Sequence, residues 1–402
     1  MKKLGIYIHI PFCKSKCTYC NFYSQSSDCL SAKDIIIQTS IIEAINREIE
    51  LFVKSEEYLK NKQKYYISTI YFGGGTPSYI DADMIISIIK TIQREFAISD
   101  KDMEKIEVTI EANPDSITKE KLDKYYENGI NRLSVGLQAY NDRLLGLMGR
   151  PYNCKIFDKC VEIINQSRFK NWSLDLIFGL PNQSMKDWTN TLGKAISFSP
   201  KHISCYSLEV HRNTILGRNI KTGKMPNPDE ILDRKMYHRA VKILADNHYF
   251  QYEISNFAKK GYKCRHNLDF WNRNSYIGFG PSACSTFEGE SWCNISENTK
   301  YIDKVNGSKV FDSILISDVS SDLSKSHSDC SKRKLYQKIM LGIRLNKGVI
   351  IYSKEYSILI KNISKLRSNG LLMKDKNIKK LILTQKGRDL ADYVIEQLLE
   401  NV

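Results

Sequence analysis

Six short apolar runs alternate with helical patterns over the first two-thirds of the chain, and this alternation constrains the fold more than any other feature. The strand candidates are Leu4–Ile10, Ile67–Phe72, Ile106–Glu111, Arg132–Gln138, Ser173–Phe178 and His202–Leu208. Between the first two, Ile41, Ile45, Ile49 and Phe52 recur at spacings of four, four and three, the signature of one helix face. Leu122, Tyr125 and Tyr126 predict a short helix that stops at Gly129. Strands alternating with helices argue for a parallel α/β sheet or barrel with right-handed crossovers. Polar and glycine-rich residues follow the strands, at Cys13, Gly73–Gly75, Asn113, Gln138 and Gly179, which in a βα barrel is the catalytic face.

The remaining third reads differently. Residues 211–300 are richer in aromatic and loop residues, and the polar stretch 311–334 reads as a linker. After it, helices are expected near Leu335–Leu341 and Lys354–Leu366. A hairpin of Leu371–Met373 with Lys380–Leu383 comes next, and a last helix runs from Thr384 to Leu399. Helix, helix, hairpin, helix is a winged-helix-like order. The expected architecture is therefore a partial (βα)6 TIM-like barrel over residues 1–310 with a smaller α+β winged-helix-like domain over 335–402.

The 402 residues carry a formal charge of +15. Seventeen Lys and Arg against eight Asp and Glu lie between Ser321 and Val402, so most of the excess sits in the tail. An anionic partner or membrane surface is one reading of that excess, and lysine on solvated faces is the other. No apolar run approaches the roughly 18–20 residues of a membrane helix. The N-terminus reaches Pro11, Cys13 and Lys14 before a long apolar stretch develops, so no targeting segment is expected. The expected location is the cytoplasm, with peripheral membrane contact allowed.

Eleven cysteines, spread without a dense even framework, imply mostly free thiols. Only Cys13, Cys17 and Cys20 have ligand spacing. Structural zinc sites supply four ligands, usually as two pairs, and no second pair lies at a matching distance. Three thiolates instead suit three irons of a [4Fe–4S] cluster, with the fourth iron open to another ligand.

On this CxxxCxxC motif the chain resembles the radical S-adenosylmethionine (SAM) superfamily. Tyr7-Ile-His9-Ile-Pro11-Phe-Cys13 makes it similar to the coproporphyrinogen dehydrogenase-like branch. The resemblance continues through Phe72-Gly-Gly-Gly-Thr-Pro-Ser78, Glu111-Ala-Asn-Pro114, Arg132-Leu-Ser-Val-Gly-Leu-Gln138 and Asp175-Leu-Ile-Phe-Gly-Leu-Pro181. It implies a [4Fe–4S] cluster on Cys13, Cys17 and Cys20. It also implies SAM contacts by Tyr7, Tyr19, Gly74, Gly75, Thr76, Glu111, Gln138, Arg150 and Asp175. Taken singly, these residues also suit plainer roles: a strand-end turn for the glycines, a surface salt bridge for Glu111, a helix-end arginine for Arg150.

Two features divide the branch. Its dehydrogenases carry a fourth cysteine two residues after the third, where this chain has Phe22. The segment His266-Asn267-Leu268-Asp269-Phe270-Trp271 resembles the HNxxYW motif of the HemW family of haem chaperones, with phenylalanine for tyrosine. An imidazole beside aromatic rings suits haem, which makes His266 the candidate axial ligand. Cys264 reads as a free thiol and His9 as a support of the cluster strand. The resemblance thus implies a haem chaperone that binds the cluster, SAM and haem and serves respiratory haem proteins. The alternatives are an oxygen-independent coproporphyrinogen III dehydrogenase and, remotely, a winged-helix nucleic-acid-binding regulator. For the last, Lys354, Lys361 and Lys365 alternate with apolar residues rather than forming a basic recognition face.

Overall fold

The computed structural model of the chain describes residues 1–27, 31–311, 330–374 and 379–400. Most of the expected linker, 312–329, lies outside them. The strands are β1 (Lys2–Ile10), β2 (Phe12–Cys13), β3 (Gln25–Ser26), β4 (Tyr65–Gly74), β5 (Glu107–Ala112), β6 (Arg132–Gln138), β7 (Trp172–Phe178) and β8 (His202–Ser207). They are followed by β9 (Phe250–Gln251), β10 (Asn256–Ala258), β11 (Ser275–Phe279), β12 (Cys284–Phe287), β13 (Glu290–Cys293), β14 (Val349–Ile350) and β15 (Lys380–Leu381).

Six of these, β1 and β4 through β8, pair in chain order as parallel neighbours. Each matches an expected strand to within two residues at either end. Helices cross between them, including Ala32–Val53, Ala82–Glu95, Lys119–Glu127, Cys154–Gln166 and Met185–Ser197. Local chemistry sets several of their starts. Asp81, Thr118 and Asn153 accept from backbone N–H groups of the first turn, and Ser184 with Asp187 closes a capping box.

The sheet extends beyond the six. β11 adds in parallel to β1 on the side away from β4, and β12 and β13 continue as an antiparallel edge. At the other end β10 and β9 follow β8 antiparallel. Residues 211–300, read as a loop-rich extension, therefore return to both edges of the main sheet. Cys284 and Cys293 face each other across β12 and β13 and are disulfide-bonded, unlike the free thiols at Cys13, Cys17, Cys20, Cys154, Cys160, Cys205 and Cys264.

A second apolar core gathers Ile339, Ile343, Ile351, Leu359, Ile363, Leu381, Val394 and Leu398. Its helices are Cys330–Gly342, Ser353–Ser368, Gln385–Asp389 and Ala391–Leu399. One local expectation is extended and one is corrected. Lys380–Leu381 also pairs with Val349–Ile350, beside the expected hairpin, which the Leu372–Leu383 bridge, Met373 N–H to Ile382 O at 2.8 Å and Thr384 N–H to Leu371 O at 3.0 Å hold together. The last helix is broken at Leu390, which leaves the helical region and stands 45% exposed. This unit docks on the barrel through the Glu253–Leu345 bridge and the Asn346 N–H to Tyr252 O bond of 3.0 Å. A hydrogen bond between His238 Nε2 and Asp389 Oδ2 at 2.9 Å adds to the seam.

Candidate functional site

The parallel strands alternate strictly. Ile6, Ile8, Ile70, Phe72, Val108, Ile110, Leu133, Val135, Leu174, Leu176 and Ile203 are buried in the apolar core shared with the helices. The intervening residues face one another inside the barrel and are mostly polar or glycine. Contacts across the interior show this. Tyr7 and Tyr71 stack at 6.3 Å, Arg132 donates to Ser173 Oγ at 3.0 Å, and Ser134 donates to Asp175 Oδ2 at 3.0 Å. Tyr206 lies in electrostatic range of Glu111 and Asp175 yet is 40% exposed, so solvent reaches this chamber.

Cys13, Cys17 and Cys20 lie on one loop above the β1 end, each half-buried. Backbone bonds hold the loop: Ser27 N–H to Cys13 O, Cys20 N–H to Cys17 O and Thr18 N–H to Met148 O. Burial pushes the Cys13 and Cys17 thiols up; Cys20 raises Cys13 further, and Cys20 and Cys13 raise Cys17 further. Arg150 works against this at both, and the Thr76 hydroxyl donates to Cys13 Sγ at 3.6 Å. A set of thiols with a guanidinium and a hydroxyl beside it has the donor chemistry a thiolate-ligated cluster requires. Among the described residues no three His, Cys, Asp or Glu side chains form a closed metal cage, so the thiols share a loop rather than a finished coordination geometry.

At two positions of the glycine run the absence of a side chain lets the chain pack on itself. A Cβ at Gly75 would stand 2.5 Å from Phe12 O and 2.9 Å from Ile10 O, because Gly75 and Thr76 donate to those carbonyls. At Gly74, with φ +106°, a Cβ would strike the His9 ring at 2.7 Å. The glycines thus seat the strand that leads to Cys13. His9 is fixed between the Tyr7 hydroxyl at 3.1 Å and Tyr23 O at 2.9 Å.

Glu111 and Asp175 project into the chamber from β5 and β7. Burial pushes the Glu111 carboxyl up to about 7, against hydrogen bonds from the Tyr71 hydroxyl at 2.8 Å and from Gly74 N–H. Burial also raises Asp175, which Ser204 and Ser134 partly offset. Gln138 follows a bulge in β6 and takes a left-handed backbone, φ +66°, at the strand end. Arg150 is half-buried at the rim rather than free on the surface. It donates to Asn113 Oδ1 at 3.1 Å and to the Tyr19 hydroxyl, and its Nε has no partner among the described residues. Tyr19 is thereby tied to the rim, and no described carboxylate pairs with Arg150.

His266 sits inside the barrel at the start of the helix Arg265–Trp271. Its Nδ1 is 2.8 Å from Thr69 Oγ1, and its ring stacks on Tyr71 at 5.0 Å and 26°. Burial lowers its pKa to about 4, so the imidazole is neutral near pH 7. The aromatic neighbours expected from the motif were Phe270 and Trp271. Instead they meet edge-to-face at 5.1 Å at the helix end, and the rings beside His266 are Tyr71 and Tyr7. Cys264 is a buried thiol, pushed up to about 12 by burial, directed at Glu107. The residues that sequence reasoning passed over are Thr69, Tyr71 and Glu107. Their signal was the polar residue at every second place of each apolar strand.

The chain matches the Radical SAM superfamily over residues 7–195. Heme chaperone HemW of Buchnera aphidicola subsp. Schizaphis graminum is 38% identical over 280 residues, 70% of this chain and 69% of that protein. Heme chaperone HemW of Bacillus subtilis is 30% identical over 400 residues, 98% of each chain. Among solved structures, the coproporphyrinogen III oxidase HemN of Escherichia coli, described as a radical SAM enzyme, aligns with a TM-score of 0.78. It covers 100% of this chain and 91% of that one at 19% identity, which speaks to fold alone.

Proposed function

This chain belongs to the radical SAM superfamily, among the relatives of HemW in the branch that also holds HemN, and from that premise we propose that it is a haem chaperone. It holds a [4Fe–4S] cluster through Cys13, Cys17 and Cys20, SAM at the barrel rim, and haem through His266. Its cargo goes to respiratory haem proteins. When bound, the cluster and SAM supply one-electron chemistry. The chain's residues do the rest. Arg150 holds Tyr19 and Asn113 at the rim. Glu111 and Asp175 offer hydrogen-bond acceptors to the ribose hydroxyls and amino group of SAM.

The observation that carries the haem assignment is the state of His266: a neutral imidazole with Nδ1 already engaged and Nε2 bonded to no described residue. A neutral ring nitrogen with its lone pair free is what iron ligation requires. Phe22 argues in the same direction. It stands where the dehydrogenases carry a fourth cysteine and is 71% exposed, so it neither ligates nor packs.

The test is anaerobic. The reconstituted protein is given SAM, a low-potential reductant and coproporphyrinogen III, and the doubly decarboxylated product is sought by mass spectrometry. No product, together with haem binding that weakens in His266→Ala, is expected. Turnover would instead identify a coproporphyrinogen dehydrogenase.

A further inference from the structure

We infer that one layer of the barrel, Gly5 on β1, Thr69 on β4 and Glu107 on β5, is a cradle that positions the His266 imidazole and leaves Nε2 as its iron-ligating atom. The inference rests on His266 as the haem ligand and adds to it three residues remote in sequence.

The three residues lie side by side. Gly5 is in register with Thr69, and Thr69 with Glu107. Each removes one freedom of the histidine. Glu107, 6% exposed, takes the Arg265 N–H at 2.9 and 3.1 Å, the His266 N–H at 3.1 Å and the Cys264 thiol at 3.7 Å. Cys264 provides no side-chain cap of its own, so a carboxylate from a distant strand anchors the helix start and fixes the His266 backbone. Thr69 is fully buried, and its hydroxyl at 2.8 Å from Nδ1 sets the rotation of the ring. Gly5 leaves the space the ring occupies. A Cβ there would stand 3.2 Å from Thr69 Oγ1, 3.4 Å from Tyr276 Cβ and 3.5 Å from His266 Cε1. Tyr71, two residues beyond Thr69 on the same strand face, holds the ring plane by stacking.

Metal-ligating histidines give their other ring N–H to an acceptor, which selects the tautomer and raises the basicity of the ligating nitrogen. In the ligating tautomer here, Nδ1–H donates to Thr69 Oγ1 and the Nε2 lone pair is free. His266 remains partly open to solvent in the chamber, so the free nitrogen is not sealed behind side chains. Thr69, Gly5 and Glu107 are positioning residues, since none of them meets the iron.

The test uses the full chain titrated with hemin, read by absorption and by the Fe–N(His) stretch of the ferrous form. Thr69→Val is expected to weaken binding roughly 10–100-fold and to lower the stretching frequency. Thr69→Ser should restore both, which a loss of packing alone would not predict. Gly5→Ala should shift the spectrum by pushing on the ring, and it carries the test if Thr69→Val does not fold. Wild-type affinity and spectrum in Thr69→Val or in Gly5→Ala, with His266→Ala altered, would overturn the cradle alone. An unaltered spectrum in His266→Ala, or no hemin binding by the wild type, would overturn the ligand reading and the cradle with it.

Discussion

Glu48 shows how far a single residue's environment departs from its identity. It is fully buried in the long first helix and accepts from the Tyr301 hydroxyl at 2.5 Å, Gly280 N–H at 2.9 Å and Asn294 Nδ2 at 2.7 Å. Burial still pushes its pKa from 4.5 up to about 7. The folded chain therefore keeps a proton that the unfolded chain has released between those values. The stability linked to that proton is present below pH 4.5 and is lost as pH rises through 7. In urea unfolding, the margin of wild type over Glu48→Gln should fall steadily across that window; a flat or rising margin would contradict burial as the cause. Gly75 makes a second test at this scale. Gly75→Ala places a Cβ within 3 Å of two carbonyls of the chain leading to Cys13. The expected cost is about 1–3 kcal/mol, with iron content after reconstitution falling alongside it.

The helix Arg265–Trp271 is the element on which the haem reading turns, and it is too short to hold itself. Besides Glu107 at its start, Asp269 pins its centre. The buried carboxylate takes Lys3 Nζ at 3.0 Å, Ser68 Oγ at 3.1 Å and Asn274 Nδ2 at 2.8 Å. Lys3 is part exposed and its share is screened by solvent. Asp269→Ala should cost about 1–3 kcal/mol, mainly from the stranded donors. Amide exchange in residues 265–271 should quicken more than in the neighbouring strands. Equal exchange in both would show the helix to be held by other contacts. The strands themselves were legible because β-branched and apolar residues recur with period two. The same period carried the inward polar face, visible in Glu107-Val-Thr109-Ile-Glu111 and His202-Ile-Ser204-Cys-Tyr206. The β14–β15 pairing was not legible, since two-residue strands carry no period and their register is set by the core between Ile351, Leu359 and Leu381.

At the scale of the molecule, the C-terminal unit covers the side of the barrel that carries the His266 helix. Arg344 lies over Trp271 at 5.8 Å, Lys347 Nζ donates to Asn272 Oδ1 at 2.7 Å, and Asn346 Nδ2 donates to Gln251 O at 2.8 Å. Asp389 pairs with His238 and, at 3.7 Å, with Arg234. Residues 1–311 alone should therefore melt at a lower temperature than the full chain and bind hemin more weakly, while reconstituting comparable iron at the opposite rim. Unchanged hemin affinity would show that the unit does not steady the helix. No helix of the described residues is long and apolar enough to cross a membrane. The tail's basic excess remains a proposed attraction to anionic surfaces. If it acts, Lys374→Glu with Lys380→Glu should reduce co-sedimentation with acidic vesicles at low salt and change nothing with neutral ones.

The sequence by itself determined the parallel α/β class, the loop of three thiols and the family, because each is written in residues close together. Three cysteines fall within eight positions, and strand periodicity repeats every two. Tertiary structure decided what those residues face. Gly75 packs against the carbonyls of Ile10 and Phe12 because β1 and β4 run side by side up to that point. His266 meets Thr69, 197 residues away, and Tyr71 rather than its helix neighbours Phe270 and Trp271. The reason is register. Which side chains share a layer of the barrel depends on how separate strands are aligned, and no local pattern in any one strand records that alignment.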